Sequence, residues 1–119
     1  MQTDPDCIFC RIVRGEIPCR KVYEDDEILA FHDIKPATPV HFLIIPKVHV
    51  ETLYDSDLAY QQVLGRMLGM AGQLAREQGL TDGFRTIINC GRVGRQEVYH
   101  LHMHVLGGPD PLRGGLISP

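Results

Sequence analysis

Apolar positions along the 119-residue chain change period several times, and each change marks an element. Ile8, Phe9, Ile12 and Val13 recur at the spacing of one buried helix face. They predict a short helix over Cys7–Arg14, capped by Asp6 and stopped by Gly15. Pro18 forbids its continuation, and three extended runs follow: Lys21–Glu24, Ile28–His32 and Val40–Ile45. Between them, Asp25-Asp26-Glu27 and Lys35-Pro36-Ala37-Thr38-Pro39 are too short for parallel crossovers, so neighbouring strands run antiparallel. Tyr60, Val63, Leu64, Met67, Leu68, Ala71, Leu74 and Ala75 then repeat with helical period. This long helix has Asp55 or Ser56 as its cap and Gly79 as its stop. Inside it, Gly65, Gly69 and Gly72 each cost about 1 kcal/mol relative to alanine. Either a second backbone approaches there, as in a dimer, or the packed face tolerates them. Two more strands, Phe84–Asn89 and Val98–Leu106, flank the polar loop 90–97, and Gly107–Pro119 reads as an irregular tail. The order predicts an α+β fold: a five-stranded, mainly antiparallel sheet with one long and one short helix. One domain spans 1–119, with its core at about 7–108.

Composition narrows the functional classes. Twelve Lys and Arg against fifteen Asp and Glu give a net charge of −3 and no basic stripe, which argues against a nucleic acid polymer as partner. No apolar run approaches the ~20 residues of a membrane helix, so no membrane partner is expected. Met1 to Asp6 lacks the basic and apolar regions of a secretory signal, and the expected location is the cytoplasm. Disulfides are improbable there, so the four cysteines are expected as thiols or metal ligands.

Histidine carries the chemistry. In His100-Leu101-His102-Met103-His104-Val105 the alternation is strict. On a strand it puts the three imidazoles on one face and Tyr99, Leu101, Met103 and Val105 toward the core. Residues i and i+4 of a strand are about 13–14 Å apart, so all three could share one metal only if the strand bent. A row of imidazoles suits a phosphate group instead: one attacks as nucleophile while neighbours donate hydrogen bonds to oxygens. The attacking ring must keep one nitrogen bare, its other nitrogen donating, commonly to a backbone carbonyl.

This run, with Gln96-Glu97-Val98-Tyr99 before it and Gly107-Gly108 after it, resembles the signature of the histidine triad superfamily. Agreement with the nucleoside phosphoramidase branch, bacterial type, continues upstream. Phe9, Gly15-Glu16-Ile17-Pro18, Tyr23-Glu24-Asp25-Asp26, Ala30-Phe31-His32-Asp33-Ile34, Pro39, His41 to Lys47, and Asn89 all fall where that branch has such residues. The resemblance implies a dimerising hydrolase that cleaves a P–N bond at a purine nucleoside 5′-phosphate (AMP or GMP type) through a nucleotidyl-histidine. It makes His102 the nucleophile and His104 a phosphate contact, with His100 supporting and His41 orienting the network. Asp33 matches a ribose ligand. Phe9, Ile12, Ile17, Phe31, His32, Ile34 and Leu43 match the nucleoside pocket, and Asn89, Glu97 and Val98 the surroundings of the phosphate. Dinucleoside polyphosphate hydrolysis or nucleotidyl transfer is the enzymatic alternative; a non-catalytic nucleotide or zinc module is the other. The sequence departs from the branch at Arg95, where Gly is usual, at Glu97, where eukaryotic members have Ser, and at Pro109, where Arg often follows the glycines.

Cys7-Ile8-Phe9-Cys10 is a C-x-x-C knuckle outside any βαβ context, so a thioredoxin-like reading fails. Some members of the superfamily close such a knuckle into a structural zinc site with a distant histidine and the first triad histidine. Here those are His49 and His100, and the other reading is two small buried thiols. Phosphoryl chemistry gains mostly from positioning and charge stabilisation, so no metal cofactor is required for catalysis.

Overall fold

The computed structural model describes residues 3–116; Met1, Gln2 and the end of the tail at 117–119 lie outside the described residues. Helix α1 spans Ile8–Val13, and strands β1, β2 and β3 span Lys21–Glu24, Ile28–His32 and Val40–Pro46. Helix α2 spans Gln61–Glu77, β4 spans Arg85–Ile87 and β5 spans Met103–Gly107. The strands form one sheet in the order β1-β2-β3-β5-β4, with every pairing antiparallel. The last strand is therefore interior, between β3 and the short edge strand β4.

Cross-strand partners share a face of the sheet. Ala30, Ile44 and Met103 are joined by register and face α2, whose Val63, Met67, Ala71, Leu74 and Ala75 are buried against them. Phe31, Leu43 and His104 are joined by the next register step and occupy the opposite face. There Phe9 of α1 packs on Leu29, Phe31, Leu43 and Ile45, while His41 and His104 stand toward the other end of the strands. Arg66 locks α2 to the β1–β2 turn through Asp25 and Glu27, and Asp25 also accepts the Glu27 and Ile28 amides. This guanidinium holds the Asp25 carboxyl well below the usual carboxylate range. Among the described residues no helix is long and apolar enough to cross a membrane.

Three local expectations change. Helix α1 is capped by Cys7, whose Sγ accepts the Cys10 amide at 3.4 Å, not by Asp6. Asp55 forms a reciprocal cap with Thr52 around a 3₁₀ turn, Leu53–Asp55, and Asp57 caps a second at Leu58–Tyr60. Helix α2 begins only after these, with no side-chain cap. The last two strands are shorter than their apolar patterns. Before Met103, the Leu101 amide bonds to the Val50 carbonyl and leaves the ladder, and Tyr99 is 43% exposed rather than in the core. Both readings of Gly65, Gly69 and Gly72 stay open: a Cβ at any of them would meet nothing within 4 Å, so no other backbone of the same chain approaches them.

Phe42 is fully buried between β3 and α2. Phe42→Ala should lower the urea unfolding free energy by about 3–5 kcal/mol, because the rigid sheet cannot collapse into the space. Equal urea midpoints for variant and parent would contradict this packing.

Candidate active site

The β3–β5 register sets His41 opposite Leu106 and Leu43 opposite His104, which brings the fourth histidine beside the triad. Only His104 lies on the ladder. His100 and His102 precede β5, so the alternation that suggested one straight strand is broken at its start. The break has a local cause: His102 Nδ1 lies 2.8 Å from the His100 carbonyl, an acceptor that a paired strand would spend on its neighbour.

Each ring's tautomer follows from a backbone partner, since an amide can only donate and a carbonyl only accept. His102 Nδ1–H donates to the His100 carbonyl, so its Nε2 is bare. The Ala37 amide donates to His41 Nδ1 at 3.0 Å, so the His41 proton is on Nε2. That N–H faces His104 Nδ1 at 2.8 Å and Asp33 Oδ2 at 3.5 Å. His104 therefore accepts on Nδ1 and carries its own proton on Nε2. The His102 and His104 ring centroids are 5.0 Å apart, which sets a bare nitrogen beside an N–H donor. Burial pushes His41 and His102 below the usual histidine range, against the pull of Asp33 on both. His104 is pushed down to about 4, by burial first and then by the neighbouring His102 and His41. The rings are neutral at pH 7.

His100 looks the other way. Its Nε2–H donates to the Pro46 carbonyl at 2.7 Å, leaving Nδ1 bare. That nitrogen lies 3.5 Å from Cys7 Sγ, 3.5 Å from Cys10 Sγ and 3.3 Å from His49 Nδ1, and His49 Nδ1 is 3.3 Å from Cys10 Sγ. A tetrahedral zinc with ordinary bond lengths needs N···N edges of about 3.3 Å and N···S edges of about 3.6 Å. The donor set fits that ion in type, number and spacing. Burial raises the Cys10 thiol to about 11.

The other sequence-predicted residues divide. Phe9 stacks edge-on against Phe31 at 5.6 Å and His102 at 5.2 Å, with Leu43, Ile12 and Val98 in the same cluster. Asp33 gives one oxygen to the Lys35 amide and turns the other toward His41. Glu97 is exposed and near enough to act on His102, without an ion pair to Arg95. Extended by two residues, the β4 register runs Asn89 toward His102. Three pocket expectations do not fit the same wall. Ile34 is 92% exposed, because it lies on the β2–β3 turn beyond the sheet. Ile17 is half-buried between α1 and β1, outside the Phe9 cluster. His32 pairs with Phe42, so register turns it to the α2 face.

Two positioning features were given no role by the sequence. Pro46 and Ala37 act through backbone atoms. Gln96, 7% exposed, receives the Gly91 amide and donates to the Glu51 and Val98 carbonyls, tying down the loop before the triad. Its neighbour Arg95 turns the chain in the left-handed region, at φ 62°, which explains the glycine usual there.

The HIT domain model matches residues 14–110. The chain belongs to the HIT domain family. Within it, the chain is 50% identical over 104 residues to protein HitA of Neisseria gonorrhoeae, covering 87% of this chain and 97% of that one. It is 48% identical over 104 residues to a purine nucleoside phosphoramidase of Escherichia coli K12, covering 87% of each. A histidine triad protein from Clostridium difficile superposes with a TM-score of 0.89 at 43% identity, over 96% of this HIT chain and 100% of that one. A HIT family hydrolase from Legionella pneumophila gives 0.85 at 46%, over 88% and 95%.

Because His41 and His104 are held neutral, the unfolded chain binds more protons than the native one as pH falls from about 6.5 toward 4. Stability therefore rises with pH across that window. His104 alone should contribute a loss of about 2 kcal/mol at pH 5 relative to pH 8. Urea titrations at the two values read this directly, and His104→Gln should flatten the dependence.

Proposed function

We propose that this HIT protein hydrolyses purine nucleoside phosphoramidates, with His102 as nucleophile. The observation that carries the reading is the bare His102 Nε2, aimed by its own Nδ1–H bond to the His100 carbonyl and set beside the His104 donor. The E. coli relative named for this activity supports the substrate class. In the first half-reaction the Nε2–P bond forms and the P–N bond breaks. His104 Nε2–H stabilises the phosphoryl oxygens, and the departing nitrogen leaves as the free amine with a proton taken up from solvent. His41 keeps its Nε2 proton, hydrogen-bonded to His104 Nδ1 with the Asp33 carboxylate beside it, which keeps the His104 Nε2–H aimed at the phosphate. The positive charge falls on the phosphorylated His102 ring. Water then attacks phosphorus, breaks the P–Nε2 bond and returns the proton to solvent. Phe9, Ile12, Phe31, Leu43 and Val98 wall the nucleoside, Asp33 Oδ2 receives a ribose hydroxyl, and Asn89 serves the phosphate.

Cys7, Cys10, His49 and His100 hold a structural zinc ion, which supplies rigidity and no chemistry, since four protein ligands leave no place for water. The protein acts as a homodimer: β4 is a bare edge, and Gly65, Gly69 and Gly72 leave open space along α2 for a second copy.

His102→Ala should remove at least about three orders of magnitude in turnover of an adenosine phosphoramidate while nucleotide affinity persists. His104→Ala should lose about 10²–10³, as for one lost donor to a charged oxygen. Faster cleavage of a P–O–P than of a P–N substrate would instead favour dinucleoside polyphosphate hydrolysis. Elemental analysis should find zinc in the parent and none in Cys7→Ser, and zinc-free parent protein would reject the metal site. Light scattering should give twice the 13.4 kDa of one chain.

A further inference from the structure

Behind the four donors proposed to hold zinc stands a second layer of partners, and for three of the donors it is backbone. Cys7 Sγ accepts the Cys10 amide at 3.4 Å, and Cys10 Sγ accepts the Asp4 amide at 3.4 Å. His100 Nε2–H donates to the Pro46 carbonyl at 2.7 Å. The fourth donor is His49. A neutral imidazole that gives Nδ1 to a cation carries its proton on Nε2, and that proton needs an acceptor. The group facing His49 Nε2 is a side chain, Asp4, whose Oδ2 lies 3.9 Å away. That separation is about 1 Å beyond a hydrogen bond.

Asp4 is held for this position. Its Oδ1 accepts the Asp6 amide at 2.8 Å, its carbonyl accepts the Cys7 amide at 3.1 Å, and its own amide goes to Cys10. Residue 4 is thus tied to both cysteines through its backbone, and Oδ2 is left over. Among the described residues no lysine or arginine pairs with Asp4, and His49 is its one ionic neighbour. The His49 side chain is 14% exposed and that of Asp4 45%, so the carboxylate sits on the solvent side of a mostly enclosed ring. Asp6, Glu51 and Glu97 line the same groove of about 350 Å³ over His49, and none of them comes within ion-pair distance of the imidazole.

We propose that Asp4 serves the zinc site from behind His49, as a positioning residue that fixes the tautomer with Nδ1 bare and makes that nitrogen a better donor. The proposal rests on the zinc reading and adds a residue outside the Cys7, Cys10, His49 and His100 set. A carboxylate that accepts Nε2–H pushes electron density toward Nδ1, and its pull on the ring grows once the ring shares the charge of a cation. A residue that served only the turn into α1 would need no charge. That turn uses Oδ1 and backbone atoms, all of which asparagine keeps. The role behind His49 uses the charge on Oδ2, which asparagine replaces with an amide donor.

The test measures zinc affinity of the full chain by competition with a chromogenic chelator, so that turnover does not enter. Asp4→Asn should weaken zinc about tenfold, the cost of losing a carboxylate behind a metal-bound histidine. Asp6→Asn removes the same charge from the same groove without a contact to His49, and should stay within about twofold of the parent. A second arm repeats Asp4→Asn in a His49→Cys background, which keeps four donors and has no imidazole N–H. There the substitution should cost less than about twofold. Metal-free Asp4→Asn and metal-free parent should share one urea midpoint, because the turn survives. No loss in Asp4→Asn, or equal losses in Asp4→Asn and Asp6→Asn, overturn the proposal and leave the zinc site standing. So does a tenfold loss that persists in the His49→Cys background, or a metal-free midpoint that falls along with the affinity. Should His49→Cys fail to fold, the comparison of Asp4→Asn with Asp6→Asn decides alone. Parent protein that binds no zinc overturns both readings.

Discussion

The pairing of β3 with β5 is the constraint on which the site depends. It sets His41 beside His104, carries the Pro46 carbonyl to His100, and puts Leu43 under the proposed nucleoside pocket. Shift β5 by one residue and His104 moves to the face filled by α2, away from His41. The core on the α2 side, with Phe42, Ile44, Met103 and Val105 fully buried, is what makes the register expensive to change. The geometry of the candidate site and the packing of the core are thus two readings of the same ladder.

The second organising feature is His100, where three functions meet in one residue. Its ring Nε2 is committed to Pro46, its Nδ1 to the thiol cluster, and its carbonyl to His102. Phe9 lies inside the cysteine knuckle and touches both His100 and His102. The knuckle and the proposed nucleophile are therefore mechanically joined through a peptide and through an aromatic ring.

Much of this was legible in the sequence. The first three strands were readable to within a residue because β-rich runs ended at Asp, Lys and Pro turns, and α2 because its apolar positions kept strict period. The four histidines and the cysteine knuckle announced their chemistry by residue type. What escaped was set by the backbone and by long-range pairing. Val98–Leu101 has the apolar pattern of a strand, but Val50 and His102 take its hydrogen bonds elsewhere. His32 sits within a pocket-like motif, yet strand parity turns it away from the others. Gln96 stands in the signature run, yet its role was not readable, because nothing in a loop's composition tells which side chain is enclosed.

The interior place of β5 also bears on how the chain acquires its activity. Strands β1, β2 and β3 are joined by short turns and can zip together locally, whereas His41 and His104 meet across 63 intervening steps of chain, with all of α2 between. Such distant closure is entropically costly and comes late in folding. A nascent or partly unfolded chain can hold the Phe31–Leu43 wall, with His41 beside it on β3, before His102 or His104 is in place. Competence therefore arrives in one step with the final strand, and no truncated intermediate is a partial enzyme.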